Sequence, residues 1–496
     1  MKGDEMEYYI GIDLGTSSVK LLLADHEGKK LNTATKEYPV IYPRSGWSEQ
    51  NAEDWWSAIC EALSELLRGF DGHAVKAIGV AGQMHGLVAL DKDGNVIRPT
   101  ILWNDGRTDK ETAYLNEVIG KEKLFAYTGN IAFAGFTAPK IMWLRENEPE
   151  HFARIDKIML PKDYINYLLT GTHCTDYSDA SGMLLLDVKN KCWSKEMLHI
   201  CGVSESQMPK LYESFEVVGT VKRDIAEKLG LNPETVVVAG AGDNAAAAIG
   251  TATVGNGKCN ISLGTSGTIF VSSDSFSGDS AQAIHSFCHS DGGYHLMGCI
   301  LSAASCNKWF CEEILNTKDY KAEENAVKEL GKNEVFFLPY LMGERSPIND
   351  VNATGMFIGL RPNTSRADMY QAILEGVAFA IKDNLEIIKR FGITIKASCL
   401  CGGGAQSKLW REILANVLDI ELNIPTTEQG PGYGAAILAM VGTGRFDSIK
   451  TATDNFFEIK ETVRPDKRTV AHYAARYEKF RRIYPAVKDL YKAIKE

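Results

Sequence analysis

No run of this sequence reaches the roughly 18 consecutive apolar residues that a membrane span needs, and the opening residues MKGDEMEYY hold no apolar stretch of the kind a secretion signal carries. Positive charge is in deficit. Fifty-four Lys and Arg against 64 Asp and Glu leave a formal charge of -10, which argues against a nucleic-acid partner, because such a partner selects a basic face. Cysteine pairing signals are missing as well: the eleven cysteines contain no C-x-x-C, and Cys399-x-Cys401 is the one close pair. That pattern fits buried thiols in a reducing cytosol. A lysine-bearing phosphate loop is also absent, since Gly257-Lys258 has no glycine five residues before it and no Ser or Thr after it. These absences lead us to expect a cytoplasmic protein without a membrane or nucleic-acid partner.

What is present starts with length. A chain of 496 residues, 45% hydrophobic and 24% charged, is an ordinary globular composition spread over more than one core. The stretch that organises the rest runs from Val236 to Gly267, VVVAGAGDNAAAAIGTATVGNGKCNISLGTSG. Thr235 to Ala239 is β-branched and reads as a buried strand; Gly240-Ala241-Gly242 turns the chain, and Asn244 to Ile249 reads as a small-residue helix. Asp243 therefore stands at a strand-to-helix turn, where a side chain projects into whatever cleft lies beyond the strand end. The string Gly240-x-Gly242-x-x-Ala245 formally matches a dinucleotide fingerprint, but no acidic residue follows about 20 positions on, and Asp243 would face the pyrophosphate. A carboxylate that only caps its helix is the structural alternative.

An internal repeat decides the architecture. Ile12-Asp13-Leu14-Gly15-Thr16-Ser17-Ser18 returns as Ile261-Ser262-Leu263-Gly264-Thr265-Ser266-Gly267, each copy a strand, a Gly-Thr-Ser turn and a second strand. Such turns present N–H groups and hydroxyls that bind phosphate without a lysine; as single copies they would pass for common hairpin turns. Asp13 at a strand end suits Mg2+, which keeps much of its water shell, or else caps its own turn. The chain holds further strand-end loops. Ala77 to Val80 leads into Gly82-Gln83-Met84-His85-Gly86, where His85 can hydrogen-bond a hydroxyl and Met84 offers an adaptable apolar wall. Ser398 to Cys401 leads into Gly402-Gly403-Gly404-Ala405-Gln406-Ser407 and a helix from Lys408 to Leu418, a junction that lets backbone approach a planar ring or a phosphate. Ala367 to Arg390 is predicted as one long helix, with Gly376 allowing close packing on the sheet. A further small-residue helix after Gly430 is expected behind the glycine junction, and the basic helix Val470 to Lys495 is expected to dock rather than lie on a membrane.

Together, GIDLGT, GQMHG, WNDGR, AGDNAA, SLGTSG, FLPYLMGERSP, LEGVAFA and CGGGAQS make the chain resemble the FGGY family of carbohydrate kinases almost end to end, and its bacterial xylulokinase branch most of all. The resemblance implies an α/β fold of two actin-like (ribonuclease H-like) domains related by duplication, about 1–250 on the sugar side and 251–496 on the nucleotide side. It implies ATP and Mg2+ as cofactors and phosphorylation of D-xylulose, with ribulose, gluconate or a related polyol as the alternative acceptor. A partner-switching ATPase without sugar chemistry is a separate reading, and a homodimer is left open as the assembly. Carried over residue by residue, Asp243 becomes the general base, with Met84, His85, Asn244, Trp103 and Asp105 at the sugar. Gly15, Thr16, Ser17, Gly264, Thr265, Ser266, Gly402, Gly403, Gly404 and Ser407 fall at the nucleotide, and Asp13 and Asp243 at the metal. The family places Trp47 near the sugar loop without an assigned contact. Arg107 is taken with Asp105 as a supporting group. Arg345 either screens phosphate or pairs with Glu344 or Asp350.

Overall fold

The computed structural model describes residues 6–281, 284–426 and 430–495. Its first sheet comprises β1 (Tyr8–Leu14), β2 (Ser18–Asp25), β3 (Lys30–Glu37), β4 (Val75–Gly82), β5 (Val217–Thr220) and β6 (Val236–Val238), ordered β5-β6-β4-β1-β2-β3, with the short β7 (Ala241–Gly242) also beside β4. The second comprises β8 (Cys259–Leu263), β9 (Gly267–Ser273), β10 (His285–Cys288), β11 (Tyr294–Ile300), β12 (Ala397–Cys401), β13 (Glu421–Pro425) and β14 (Ile459–Val463), ordered β10-β11-β9-β8-β12-β13-β14. In each sheet the central strand pairs antiparallel with its hairpin partner on one side and parallel with a later strand on the other. The repeat read from sequence is thus a repeat of register. Asp13 stands opposite Lys20 and Ala81, and Ser262 opposite Thr268 and Cys401. This is the actin-like fold present twice. Strand β1 is buried along nearly its whole length, as a strand with a parallel neighbour and covered on both faces must be.

Five helices position the site: α1 (Asp243–Gly250), α2 (Arg366–Arg390), α3 (Lys408–Leu418), α4 (Pro431–Gly442) and α5 (Lys467–Phe480). Helix α1 begins one residue earlier than the sequence pattern indicates, with Gly242 as its N-cap. The expected place of α4 needs correction. It packs on the first sheet, not behind the glycine junction: a Cβ added to Gly11 would lie 1.7 Å from the Gly432 carbonyl oxygen, and one on Gly79 2.1 Å from that of Ala435. Helix α4 also crosses α1 so closely that a Cβ on Gly434 would lie 1.9 Å from the Ala246 oxygen. The sequence PGYGAAILAMVG has apolar or small residues on every side, so it is buried all round, and the matching small residues of sheet and helix supply the space.

Helix α2 spans its predicted range, but Gly376 meets the two-stranded ribbon Phe336–Leu338/Met356–Ile358, with a Cβ there 2.3 Å from the Phe337 oxygen. The C-terminal segment docks as expected. Arg476 of α5 reaches Glu375 at 2.7 Å and Tyr473 donates to the same carboxylate at 2.9 Å. It forms two helices rather than one, Lys467–Phe480 and Ile483–Lys495, because Pro485 has no N–H to continue a helix from residue 481 and is tolerated in a first turn. Among the described residues no helix is long and apolar enough to cross a membrane.

Candidate active site

The turn that carries Asp243 is held from behind by a buried charged network. Lys162, with no exposed side-chain surface, lies 2.7 Å from Asp163, 2.9 Å from Asp176 and 3.8 Å from Asp179. Its ammonium and the Asn166 amide both donate to the Ala239 carbonyl, at 3.3 and 2.8 Å. Asp176 accepts from the Ser178 and Ser214 hydroxyls at 2.5 and 2.7 Å, and the Ser178 oxygen in turn accepts the Gly242 N–H at 3.1 Å. The backbone on both sides of the turn is therefore fixed by groups more than 60 residues away in sequence. Burial opposes the Lys162 charge, but the three carboxylates outweigh it and hold its pKa well above the ordinary value. One ammonium does not balance three carboxylates. Burial holds the Asp179 pKa well above the usual carboxylate range, with Lys162 opposing. The sequence strings Leu160-Pro161-Lys162-Asp163 and Asp179-Ala180-Ser181-Gly182 stand out, but their pairing is visible only in space.

Asp243 is half-buried and accepts from the Asn244 N–H at 2.7 Å and the Asn244 amide at 3.1 Å. Burial, and next the negative charge of Asp13, push its pKa up to about 7. Asp13 is raised to about 6, again by burial, with Lys20 opposing. Both carboxylates thus resist ionisation, Asp243 in part because of the Asp13 charge. Among the described residues no three His, Cys, Asp or Glu side chains cluster to hold a metal; Asp13 and Asp243 would be the protein ligands of an ion that keeps most of its water shell, as Mg2+ does.

Met84 lies against Gly242, where a Cβ would come within 3.0 Å of its sulfur, and so stands next to the Asp243 turn. His85 adopts φ 71°, a left-handed conformation costly for a side-chain-bearing residue and characteristic of functional sites. Lys140 and Thr137 hold it there by donating to its carbonyl at 2.8 and 3.0 Å. Its Nδ1 lies 2.8 Å from the Gly182 carbonyl, which makes Nδ1 the donor and leaves Nε2 a lone-pair acceptor. Burial, then the Lys140 charge, keep the ring neutral, its pKa well below the ordinary value. Trp103 is 40% exposed and donates to the Thr16 hydroxyl at 2.9 Å, tying its loop to the first Gly-Thr-Ser turn.

Asp105 is not brought to the cleft. Its buried carboxylate accepts from Ser48 N–H at 2.6 Å and from Arg107 at 2.8 and 2.7 Å, and Arg107 stacks on Trp47, 3.8 Å from the ring centre. Trp47 and Asp105 thus brace the loop that presents Trp103.

The two Gly-Thr-Ser turns are oriented alike. In the first, Gly15 O accepts from Tyr38 OH at 2.5 Å, Thr16 O from Gln50 at 2.6 Å and Ser17 O from Tyr38 N–H at 3.2 Å. In the second, Gly264 O accepts from Ala304 N–H and Thr265 O from Ala303 N–H, both at 2.9 Å. A trans peptide points each N–H opposite the preceding carbonyl, so tying the carbonyls back turns the N–H groups of Thr16, Ser17, Thr265 and Ser266 the other way. Gly264 and Ser266 line a cavity of about 380 Å³ with Asn244, Ser262 and Gly402. Thr265, Gly403, Gly404 and Ser407 line a larger one of about 930 Å³ with Asn307, Lys308 and Tyr320. The Ser407 hydroxyl caps α3 by accepting Trp410 N–H at 3.0 Å. Asn244 thus shares the smaller cavity with Gly264 and Ser266 of the second turn.

The duplicated fold, with phosphate-type turns beside a carboxylate pair, defines a two-domain phosphotransferase of the actin-like class. Within that class, residues 8–250 match the N-terminal domain of the FGGY family of carbohydrate kinases and residues 259–443 its C-terminal domain. The chain belongs to this family and is a sugar phosphotransferase. It is 40% identical over 480 residues, 96% of this chain and 98% of the relative, to a xylulose kinase from Escherichia coli (strain K12). It superposes with TM-score 0.93 at 38% identity on a "xyloylose kinase" from Brucella ovis, covering 98% of this chain and 100% of that one. A gluconate kinase from Lactobacillus acidophilus superposes equally, TM-score 0.93, at 26% identity, with 99% and 100% covered.

Proposed function

We propose that the protein transfers the γ-phosphoryl group of ATP to the C5 hydroxyl of D-xylulose, with Asp243 as general base. The observation that carries this is His85, whose Nε2 has no hydrogen-bond partner among the described residues, beside Met84 and the Asp243 turn, in a chain 40% identical to a xylulose kinase over nearly its whole length. Asp243 takes the proton of the attacking hydroxyl, a raised pKa making it a competent acceptor near neutrality. Asn244 and His85 Nε2 orient the sugar, and the N–H groups of the two turns hold the phosphates. Asp13 and Asp243 would hold Mg2+, which when bound neutralises phosphate charge. Because phosphoryl transfer needs little covalent help, positioning and charge supply most of the acceleration. All eleven cysteines are free thiols, which supports a reducing, cytoplasmic setting. A panel of pentuloses, hexuloses, glycerol and gluconate, assayed for ADP release with MgATP, tests the acceptor: a higher kcat/KM on gluconate or glycerol than on D-xylulose overturns the sugar assignment.

Two variants test the assigned groups. His85→Ala removes one acceptor from the sugar, worth about 0.5–1.5 kcal/mol. Its sugar KM rises about 2- to 10-fold with ATP KM unchanged, and an equal rise in both would place His85 elsewhere. Ser262 occupies the register of Asp13 in the second sheet, and its cavity also contains Asn244 and Ser266. Ser262→Asp would put a carboxylate near the phosphates, where like charges about 4 Å apart repel by up to about 4 kcal/mol. Weaker MgATP binding and more ADP formed per sugar phosphate are expected. Unchanged values of both would make Ser262 a plain strand residue.

A further inference from the structure

Beyond His85 the acceptor side continues into the second half of the chain. Strand β10 is fastened to the first half: Asn130 donates to Ser286 O at 2.8 Å and accepts from Ser286 N–H at 3.0 Å, and the Ser181 hydroxyl accepts Cys288 N–H at 3.0 Å. This sets His285 among Phe133, Phe136 and Phe287, with ring centres 4.9, 5.6 and 5.3 Å away. Phe136 is the same ring that packs on His85, at 4.8 Å. His285 is 2% exposed, and its Nδ1 is buried with no hydrogen-bond partner. A buried polar atom in this state calls for an explanation, and an unfilled ligand position is one.

A second unmatched group stands next to it. The Arg345 guanidinium lies 5.9 Å from the Phe133 ring centre, and its charge acts on both His285 and His85. Neither expected partner closes an ion pair with it, although the Arg345 charge does act on Glu344, whose Oε2 is buried without a hydrogen-bond partner among the described residues. Glu344 accepts the backbone N–H groups of Leu301 and Arg345, at 2.9 and 2.7 Å, and Asp350 accepts from Tyr484 at 2.8 Å. Among the described residues no carboxylate pairs with Arg345 within 4.0 Å. Arg345 therefore belongs with the sugar-side groups rather than with an ion pair. Aromatic walls with a few convergent polar groups are the composition of a small-molecule pocket.

These contacts run from the Asp243 turn through Met84 and His85 to Phe136, and from there to His285 and Arg345. The base end takes the hydroxyl that attacks; the other end receives the far terminus of the acceptor. In a 2-ketose phosphorylated at its last carbon, that terminus carries the C1 hydroxyl and the C2 carbonyl, both able to accept from a guanidinium. We propose that Arg345 and His285 form a second wall of the acceptor pocket, supplied by the other half of the chain, which reads the hydroxyketone end of a ketose. This rests on the ketose reading above. Because the two walls come from different halves, a ketose is gripped fully only when both halves close on it.

The test compares D-xylulose with 1-deoxy-D-xylulose, which lacks the C1 hydroxyl, in the wild type and in Arg345→Met, Arg345→Lys, His285→Phe and His285→Asn, with circular dichroism as the check on folding. The wild type should prefer D-xylulose by about 10-fold or more, the effect of a hydrogen bond to a charged group. Arg345→Met should raise the D-xylulose KM about 10- to 100-fold, leave ATP KM unchanged and shrink that preference to within about 2-fold, because residue and hydroxyl then act as one coupled pair. Arg345→Lys and His285→Asn should recover part of the preference. If the folded variants keep the wild-type preference, or if ATP KM moves instead of sugar KM, the second wall is wrong while the kinase assignment stands. A wild type that favours a non-ketose acceptor overturns the ketose reading itself, and the second wall with it.

Discussion

Asp243→Asn lowers kcat on D-xylulose by about 10²- to 10⁴-fold, the usual contribution of a positioned general base, while ATP binding stays near the wild-type value. The amide keeps the shape and the bond from the Asn244 N–H, so the turn survives and only the proton acceptor is lost. Retention of more than about half the wild-type rate would remove Asp243 from the base role. The same substitution has an opposite effect on stability. The folded pKa of Asp243, about 7, lies above its unfolded value of about 3.9. The folded state therefore holds the proton longer than the unfolded one as pH rises. The stabilisation from that proton is complete below the unfolded pKa and is lost as pH rises through the folded pKa. At pH 8 the wild type carries a half-buried charge near Asp13 that the amide lacks, so Asp243→Asn melts higher than wild type at pH 8, and the gap narrows by pH 5. A melting difference independent of pH would mean that Asp243 is not held in this way. Such a trade of stability for activity is common where a catalytic group is kept in an unfavourable environment.

The second large effect is structural. Lys162→Met leaves Asp163, Asp176 and Asp179 around a site with no cation, all fully buried. Removing one partner of a buried ion pair costs about 3–5 kcal/mol, because the remaining charge is uncompensated, and in a domain of this size that lowers Tm by about 10 °C. The Ala239 carbonyl also loses a donor, so the surviving folded enzyme should show a lower kcat through a loosened Asp243 turn. Asp179→Asn is the contrasting variant. Burial holds the Asp179 pKa well above the usual carboxylate range, so an amide of the same shape changes Tm little, both alone and on top of Lys162→Met. Urea unfolding of the four proteins decides this: a Lys162→Met midpoint at the wild-type value would show that the network contributes nothing to the turn.

Much of the site could be read in the sequence because its chemistry is local. A Gly-Thr-Ser turn between two strands, an Asp where a strand meets a helix, and Met-His between glycines each owe their meaning to neighbours within a few residues, and the repetition of the first of these implied two matching sheets. The register of Asp13 and Ser262 follows directly from that repeat. The rest depended on distance along the chain. Helix α4 reads as a companion of the glycine junction because it follows it in sequence, yet it lies on the first sheet, where Gly11 and Gly79 leave room for its backbone. Asp105 stands in a family-like motif, but the orientation of Arg107 over Trp47, some 60 residues away, turns its carboxylate inward. Lys162 binds Asp176 and Ala239 only once the first half has folded, and Arg345 meets Phe133 only where the two halves pack together. Turn conformation and strand alternation are set by bonded neighbours and are therefore written in the order of residues. The partner of a buried charge is chosen by whichever elements the topology stacks together, and that choice belongs to the tertiary structure.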